Sequence, residues 1–233
     1  ALHESLLMVH EEGLETAWGR HLLNHEALRA GLEAMGIRFI VDEPHRLPQL
    51  NAVAIPQGVD DAAVRTRLLH EHHLEIGAGL GDLAGKVWRI GLMGYSSRIE
   101  NITQCLAALD GVLADMQAPV NHGAALPAAE KILAAACAKE GIPYCMSSTA
   151  TVEPEDLAPF IGDQGWFQMY PPRDEDIRRD MLERARTVGF KALVLTVDVP
   201  VASRRERQTR SGLTQPPKLT PRLLAQVAMR PKW

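Results

Sequence analysis

The order of apolar and polar positions predicts a helical start to the chain, followed by mixed strands and helices. Apolar residues recur every three or four positions through residues 2–35, and Gly36 is placed to end that segment. Four short apolar runs predict strands at residues 37–41, 52–55, 74–76 and 87–92. Helical spacing returns after Asp60 and over residues 97–114, where Ser97 and Glu100 have the spacing of a capping box. Residues 1–116 therefore predict a small α+β domain.

Strands and helices alternate after residue 116. Helical patterns cover residues 127–140, 153–160 and 174–188, and apolar runs at residues 143–146, 166–169 and 192–197 predict strands. This alternation is typical of βαβ units and therefore of a parallel sheet. The run at 192–197 is apolar except for Thr196, which predicts a strand covered on both faces. A last helix is expected near residues 223–229, so residues 117–233 form the second predicted domain.

Composition narrows the functional classes. The chain has 233 residues, 46% of them hydrophobic, and a formal net charge of -4, which gives no electrostatic case for nucleic-acid binding. No apolar run approaches the roughly 20 residues needed to span a bilayer. Three cysteines without metal-ligand spacing favour reduced thiols and a cytoplasmic location. Both ends of the chain fall within helical patterns, which suggests truncated domains.

Polar side chains lie at the end of each predicted strand of the second domain. They are Ser147 and Ser148, Gln168 and Tyr170, and Thr196 and Asp198. In a (β/α)₈ barrel the carboxyl ends of the strands build the active site, so these residues are candidates for ligand contacts. Ordinary capping of strand ends explains the same spacing, and the spacing alone leaves both interpretations open.

Five sequence blocks distinguish between these interpretations. GIPYCMSS at 141–148, EDLA at 155–158, WFQMY at 166–170, LVLTVDVP at 193–200 and RRER at 204–207 resemble, in order and spacing, the FMN-dependent 2-hydroxy acid oxidases and dehydrogenases of the lactate, glycolate and mandelate types. The resemblance covers residues 118–222 and implies about three βα units of a partial (β/α)₈ TIM barrel.

The same resemblance implies roles for individual residues. Pro119 and Val120 match the backbone segment that lies against the flavin ring, and Ser147, Gln168 and Thr196 match its hydrogen-bond partners. Tyr170 and Arg205 match substrate contacts, because the planar guanidinium of Arg205 can bind a 2-hydroxy acid carboxylate through two parallel hydrogen bonds.

The second half also departs from the family pattern. Ser203 stands where the family usually has glycine, and neither the general-base histidine nor the late phosphate-binding region is present. No catalytic set is therefore complete, and we expect little FMN to bind.

The first half resembles a different family. HEEGLE at 10–15, NAVAIP at 51–56, LEIGAGLG at 74–81 and GKVWRIGLMG at 85–94 look like the C-terminal part of class V, PLP-dependent aminotransferases of the alanine–glyoxylate and serine–pyruvate type. The resemblance covers residues 1–115 and implies the small domain of PLP fold type I. Arg89 matches the arginine that binds the substrate carboxylate. Lys86 does not match the lysine that forms the Schiff base with PLP, so the resemblance implies that this lysine precedes Ala1.

Two further features resemble binding motifs but do not predict a binding site. His70, His72 and His73 diverge around a helix end, which favours a solvated face over a metal site. The glycines between Gly77 and Gly85 lack the strand and helix context of a dinucleotide-binding fingerprint.

Three functional hypotheses follow from the two resemblances. The first is a fragment of an FMN-dependent oxidoreductase that converts a 2-hydroxy acid into a 2-oxo acid, fused to an aminotransferase fragment and inactive alone. The second is transamination through PLP, with an amino acid and a 2-oxo acid as substrates. The third is a non-catalytic fusion or gene remnant. The sequence leaves a homo-oligomeric state open.

Overall fold

The computed structural model describes residues Leu2–Val197, which contain two separate three-stranded sheets with helices packed beside them. The helices are α1 (Leu2–Glu12), α2 (Leu14–Ala34), α3 (Asp61–His72), α4 (Ile99–Asp115), α5 (Ala125–Lys139), α6 (Pro154–Leu157) and α7 (Glu175–Val188). The strands are β1 (Leu50–Ala54), β2 (Gly77–Ala78), β3 (Val87–Gly91), β4 (Tyr144–Ser147), β5 (Gly165–Met169) and β6 (Ala192–Leu195). The architecture is thus mixed α/β. The helix expected near residues 223–229 lies outside the described residues.

The N-terminal helical segment is divided in two. Gly13 has a φ of 81°, which interrupts the helix between α1 and α2 and corrects the prediction of one continuous segment. Gly36 follows the last turn of α2 with a φ of 84°, as expected for a glycine after a helix end. Helix α2 buries one face, which includes Ala27, Leu28 and Leu32.

The first sheet is antiparallel, in the order β1-β3-β2. The predicted strand at residues 37–41 is wrong, because only an isolated bridge joins Phe39 to Val53 there. The strand predicted at residues 74–76 is displaced to Gly77–Ala78, where the chain pairs with β3. Apolarity located that strand incorrectly because its position depends on backbone pairing with β3.

Helix α4 begins without the predicted capping box. Its first residue is Ile99, and no side chain caps it. The Ser97 hydroxyl is instead buried and accepts a hydrogen bond from Asn24 Nδ2 at 3.0 Å. A tertiary partner on α2 has replaced the local bond that the sequence predicted.

The second sheet is parallel, in the order β4-β5-β6. Its helix α7 begins after Asp174, whose carboxylate accepts hydrogen bonds from the backbone N–H groups of Asp176 and Ile177. The expectation that the last strand is covered on both faces is wrong, because Leu193 and Leu195 are each about half exposed.

Among the described residues, two hydrophobic clusters form the core, and α5 contributes to both. The first cluster surrounds Trp88 and extends through α2, α3 and α4 to Ala125, Ala129 and Leu133 of α5. The second lies beneath the parallel sheet and includes Ala134. The described residues up to Leu195 belong to one compact unit. The domain boundary between residues 116 and 117 stays a prediction.

Within residues 2–197, no helix has both the length and the apolar character needed to cross a bilayer. The same residues hold no group of three or more histidine, cysteine or acidic side chains that could bind a metal ion. His73, one of the three clustered histidines, ends α3 in the left-handed conformation.

Candidate functional site

The first candidate site is the outer face of the antiparallel sheet, where β3 carries Arg89. Alternation along β3 directs Trp88 and Ile90 into the core, so the half-buried Arg89 lies on the opposite face. Its partners in register are Ala52 on β1 and Gly77 on β2. Small residues therefore flank the arginine on both sides.

Neighbouring contacts fix the strand that carries Arg89. The indole Nε1 of Trp88 donates to Asp61 Oδ1 at 3.0 Å, which connects β3 to the first turn of α3. Hydrogen bonding from Arg65 lowers the pKa of Asp61, and the bond from Trp88 adds to that effect. Asp61 is thereby held ionised, which strengthens its bond to the indole N–H.

One edge of the Arg89 guanidinium is held by the backbone. Its Nε donates to the carbonyl oxygen of Ala78 at 2.7 Å. Within residues 2–197, its two terminal nitrogens have no hydrogen-bond or ion-pair partner. A guanidinium braced at Nε with its terminal edge unpaired can accept a carboxylate through two parallel hydrogen bonds.

The residues around Arg89 do not fit PLP as a covalently held cofactor. Lys86 is the only lysine in residues 1–116, and its side chain is exposed where β3 begins. Its backbone carbonyl accepts from the N–H of Ile55 at 3.0 Å, which gives this residue a role in the sheet. A Schiff base needs a lysine that faces the cofactor, so these residues offer no covalent attachment for PLP.

The second candidate site lies at the carboxyl ends of the parallel strands. Ser147 on β4 and Gln168 on β5 are direct partners in register, and the Ser147 hydroxyl donates to Gln168 Oε1 at 2.9 Å. The same hydroxyl accepts from the backbone N–H of Thr149 at 3.2 Å. The structure thus brings together two of the residues that the flavin resemblance singled out.

The other residues implied by that resemblance have different surroundings. Thr196 directly follows β6 in the chain, and Tyr170 follows β5 with a largely exposed ring. Pro119 and Val120 lie between α4 and α5, where Val120 packs against the first hydrophobic cluster. Arg205 lies outside the described residues.

The space beside Ser147 is small. A cavity of about 180 Å³ lies between this strand end and α7, bounded by Phe167, Met181 and Arg184 among others. Sites for cofactors and drug-sized ligands usually occupy at least roughly 300 Å³. The hydroxyl of Ser147 and the amide of Gln168 suit the polar edge of a flavin ring, but this cavity is too small to hold FMN.

The charged residues near this cavity have a structural role. Arg184 on α7 forms ion pairs with Glu153 and Glu155 around the start of α6. Hydrogen bonds from Arg184 are the main reason that the pKa of Glu155 falls to about 2. A carboxylate held this firmly in its ionised form is unsuited to act as a general base near neutral pH.

Sequence reasoning missed the contribution of β2. The Ala78 carbonyl that accepts from Arg89 has no side-chain signature, and the glycines from Gly77 to Gly85 do not by themselves predict a strand. A glycine within a strand can mark a close approach of neighbouring atoms, and that was the one available signal.

The two halves of the chain are similar to different known proteins. The family model for FMN-dependent dehydrogenases matches residues 116–233. The L-lactate dehydrogenase of Serratia proteamaculans is 40% identical over 43% of this chain and 26% of its own length. The (S)-ureidoglycine–glyoxylate transaminase of Bacillus subtilis is 46% identical over 129 residues, which are 55% of this chain and 31% of the transaminase.

A solved structure supports the aminotransferase-like fold. The ureidoglycine–glyoxylate aminotransferase of Bacillus subtilis matches 57% of this chain and 34% of its own chain, with 45% identity and a TM-score of 0.55. The chain spans about a third or less of the length of these relatives. The similarity to class V aminotransferases and to FMN-dependent lactate dehydrogenases confirms both resemblances. Through residues 116–233, which are half of its length, the chain belongs to the FMN-dependent dehydrogenase family.

Proposed function

We propose that a polypeptide of these 233 residues carries part of the flavin-facing edge of a 2-hydroxy acid oxidoreductase and completes no flavin cycle alone. The main support for this proposal is the hydrogen bond between Ser147 and Gln168 at the carboxyl ends of adjacent parallel strands. Bound FMN would supply the hydride acceptor for oxidation of a 2-hydroxy acid to a 2-oxo acid. Ser147, Gln168 and Thr196 would bind the polar edge of its ring.

The size of the parallel sheet supports the proposal that this polypeptide completes no flavin cycle alone. A closed barrel of this type uses eight strands, whereas the described sheet has three and leaves β6 half exposed. In this proposal the sheet is part of a (β/α)₈ barrel. Pro119 and Val120 would lie against the flavin, and Tyr170 and Arg205 would contact the substrate.

Flavin binding provides the direct test. The purified chain is incubated with excess FMN and passed through gel filtration, and we expect less than about a tenth of a molar equivalent to be retained. Stoichiometric flavin together with steady oxidation of L-lactate or mandelate would contradict the proposal.

Weak binding can also be assigned to the proposed residues. If FMN fluorescence is quenched in a titration, Ser147→Ala and Gln168→Ala should abolish the quenching. Cys145→Ser is the matched control, because Cys145 lies on β4 and is exposed. Equal quenching by all three variants would show that the flavin binds elsewhere.

A second function is favoured by a separate observation. The Arg89 guanidinium is braced by Ala78 and has an unpaired terminal edge within the described residues, which supports binding of an amino acid or 2-oxo acid carboxylate. In the intact relatives this chemistry would belong to transamination; here we propose carboxylate binding without turnover. A titration with pyruvate, followed by NMR of the Arg89 Nε–H, should give a saturable shift, and calorimetry should show that Arg89→Gln loses the affinity for pyruvate.

The remaining expectations belong to the same proposal. Small-molecule carboxylates are the proposed ligands, and a fusion or gene remnant is the proposed origin of the two joined segments. A cytoplasmic location is supported by cysteines that remain free in the described residues. Homo-oligomerisation is testable by light scattering.

A further inference from the structure

The two-residue strand β2 lies directly against the side chain of Arg89. Gly77 is the partner of Arg89 in the antiparallel register, and the Ala78 carbonyl oxygen accepts the hydrogen bond from Arg89 Nε. One residue therefore borders the guanidinium while the next one holds it. On the β2 side both contacts come from backbone atoms, so they do not depend on a side-chain rotamer of Gly77 or Ala78.

The absence of a side chain at Gly77 has a measurable effect on the space available to Arg89. A Cβ added at this position would lie 3.3 Å from Arg89 Nη2 and 3.5 Å from Arg89 Cβ. The first distance is tighter than usual van der Waals contact, so the guanidinium would move by a few tenths of an ångström. The backbone of Gly77 does not require a positive φ, and the strand can therefore accept alanine.

A neighbouring glycine fixes the position of β2 itself. The N–H of Gly79 donates to the carbonyl of Val87 at 3.0 Å, which continues the pairing with β3. A Cβ at Gly79 would lie 1.9 Å from the Leu83 carbonyl oxygen, a distance that no side chain can occupy. The turn after β2 is thus packed against the strand by a glycine, and β2 cannot shift freely along β3.

We propose that Gly77 and Ala78 are positioning residues that aim the terminal nitrogens of Arg89 at a carboxylate ligand, an inference that rests on the proposed carboxylate role of Arg89. Ala78 fixes the rotation of the guanidinium through Nε, and Gly77 leaves room for its terminal edge. Two parallel hydrogen bonds to a carboxylate require both nitrogens in one plane with the ligand. A small displacement of the guanidinium therefore weakens binding without changing its charge.

Nuclear magnetic resonance of the full chain tests this arrangement. The probe ligand is pyruvate, the variant is Gly77→Ala, and the matched control is Gly91→Ala, because a Cβ at Gly91 on β3 would have nothing within 4 Å. The Trp88 indole N–H reports on the fold through its bond to Asp61. Gly77→Ala should shift the Arg89 Nε–H resonance in the free protein, weaken pyruvate binding by about 3- to 10-fold and leave the indole resonance in place. Gly91→Ala should match the parent chain.

Three results distinguish this proposal from the carboxylate-binding proposal on which it rests. If Gly77→Ala leaves the Arg89 Nε–H resonance of the free protein unchanged, the positioning role is wrong whatever the affinity for pyruvate. Wild-type affinity for pyruvate in Gly77→Ala would overturn it equally. If pyruvate leaves Arg89 unperturbed in the parent chain, the carboxylate role fails, and the positioning of the guanidinium still stands or falls on the free-protein spectra.

Discussion

Substituting Gly31 tests the packing that joins α5 to the first core. This glycine is buried on α2, and a Cβ there would lie 2.5 Å from Leu106 Cδ1 and 3.0 Å from the Ala125 carbonyl oxygen. Gly19 lies on the same helix but is exposed, and a Cβ there would meet nothing within 4 Å. The two glycines therefore differ in tertiary surroundings while sharing one helix.

The magnitudes follow from this difference. Replacing glycine by alanine inside a helix contributes about 0.5–1 kcal/mol of stability, so Gly19→Ala should raise the free energy of unfolding by that amount. Gly31→Ala gains the same helix propensity but forces a methyl group against Leu106 and a backbone carbonyl. Overpacking of this kind costs about 1–3 kcal/mol. Gly31→Ala should therefore be less stable than Gly19→Ala by about 1–3 kcal/mol.

Urea denaturation measures the comparison directly. Unfolding is followed by tryptophan fluorescence and by circular dichroism at 222 nm, and equal slopes against urea show that the unfolded states are comparable. If Gly31→Ala proves as stable as Gly19→Ala, α2 does not approach α4 and α5 as closely as described. The segment after residue 116 would then not be part of the first core.

Three further predictions concern the cap of α3, the half-buried carboxyl of Glu130 and the cysteine thiols. Asp60→Ala should lower the free energy of unfolding by about 1 kcal/mol in urea titrations, because the Asp60 carboxylate caps α3 by accepting from the Ala63 N–H. Burial raises the pKa of Glu130 above its ordinary value of 4.5, so the stability that Glu130 contributes is present at low pH and is lost as the pH rises through the raised pKa. Glu130→Gln should remove this pH-dependent loss of stability in thermal unfolding from pH 4 to 8. Burial raises the pKa of Cys105 to about 12, so a thiol reagent should label exposed Cys145 in the native chain and Cys105 only after unfolding, as read by mass spectrometry. A cap variant of unchanged stability, a pH slope that survives Glu130→Gln, or native labelling of Cys105 would each contradict its prediction.

The sequence predicted elements where one local signal decides the structure. Helical periodicity placed α7 within one residue of its observed start, because Asp174 caps it through bonds to its own first turn. The sequence also predicted the alternation of strands and helices that puts Ser147 and Gln168 at the carboxyl ends of parallel strands, where the register of the sheet makes them partners; their role at a flavin stays a prediction.

The failures occurred where tertiary contacts override local preference. Ser97 has the spacing of a capping box, but a hydroxyl can bind only a few partners, and the Ser97 hydroxyl accepts a hydrogen bond from the side-chain amide of Asn24 instead. The apolar composition of β6 predicted a covered strand, but about half of its leucine surface is exposed. Composition shows what environment a side chain prefers and does not show whether a neighbouring element is there to cover it. The hydrogen bond that holds Arg89 could not be predicted from sequence for a related reason. Its acceptor is the backbone carbonyl of Ala78, and because every residue has a backbone carbonyl, the sequence does not mark this one.

Helix α5 shows why sequence similarity alone does not locate the junction between the two segments. Fewer than 129 residues precede residue 116, so the transaminase match and the FMN-dependent dehydrogenase match must overlap. Within the described residues, Ala125, Ala129 and Leu133 are buried with the helices of the first cluster, whereas Ala134 is buried beneath the parallel sheet. A helix that buries successive turns in two cores couples their stability, since neither core can lose α5 without exposing apolar surface in the other. The change of physical environment therefore falls inside α5, about seventeen residues after the start of the dehydrogenase match, and the segment containing Val120 is held by the first core.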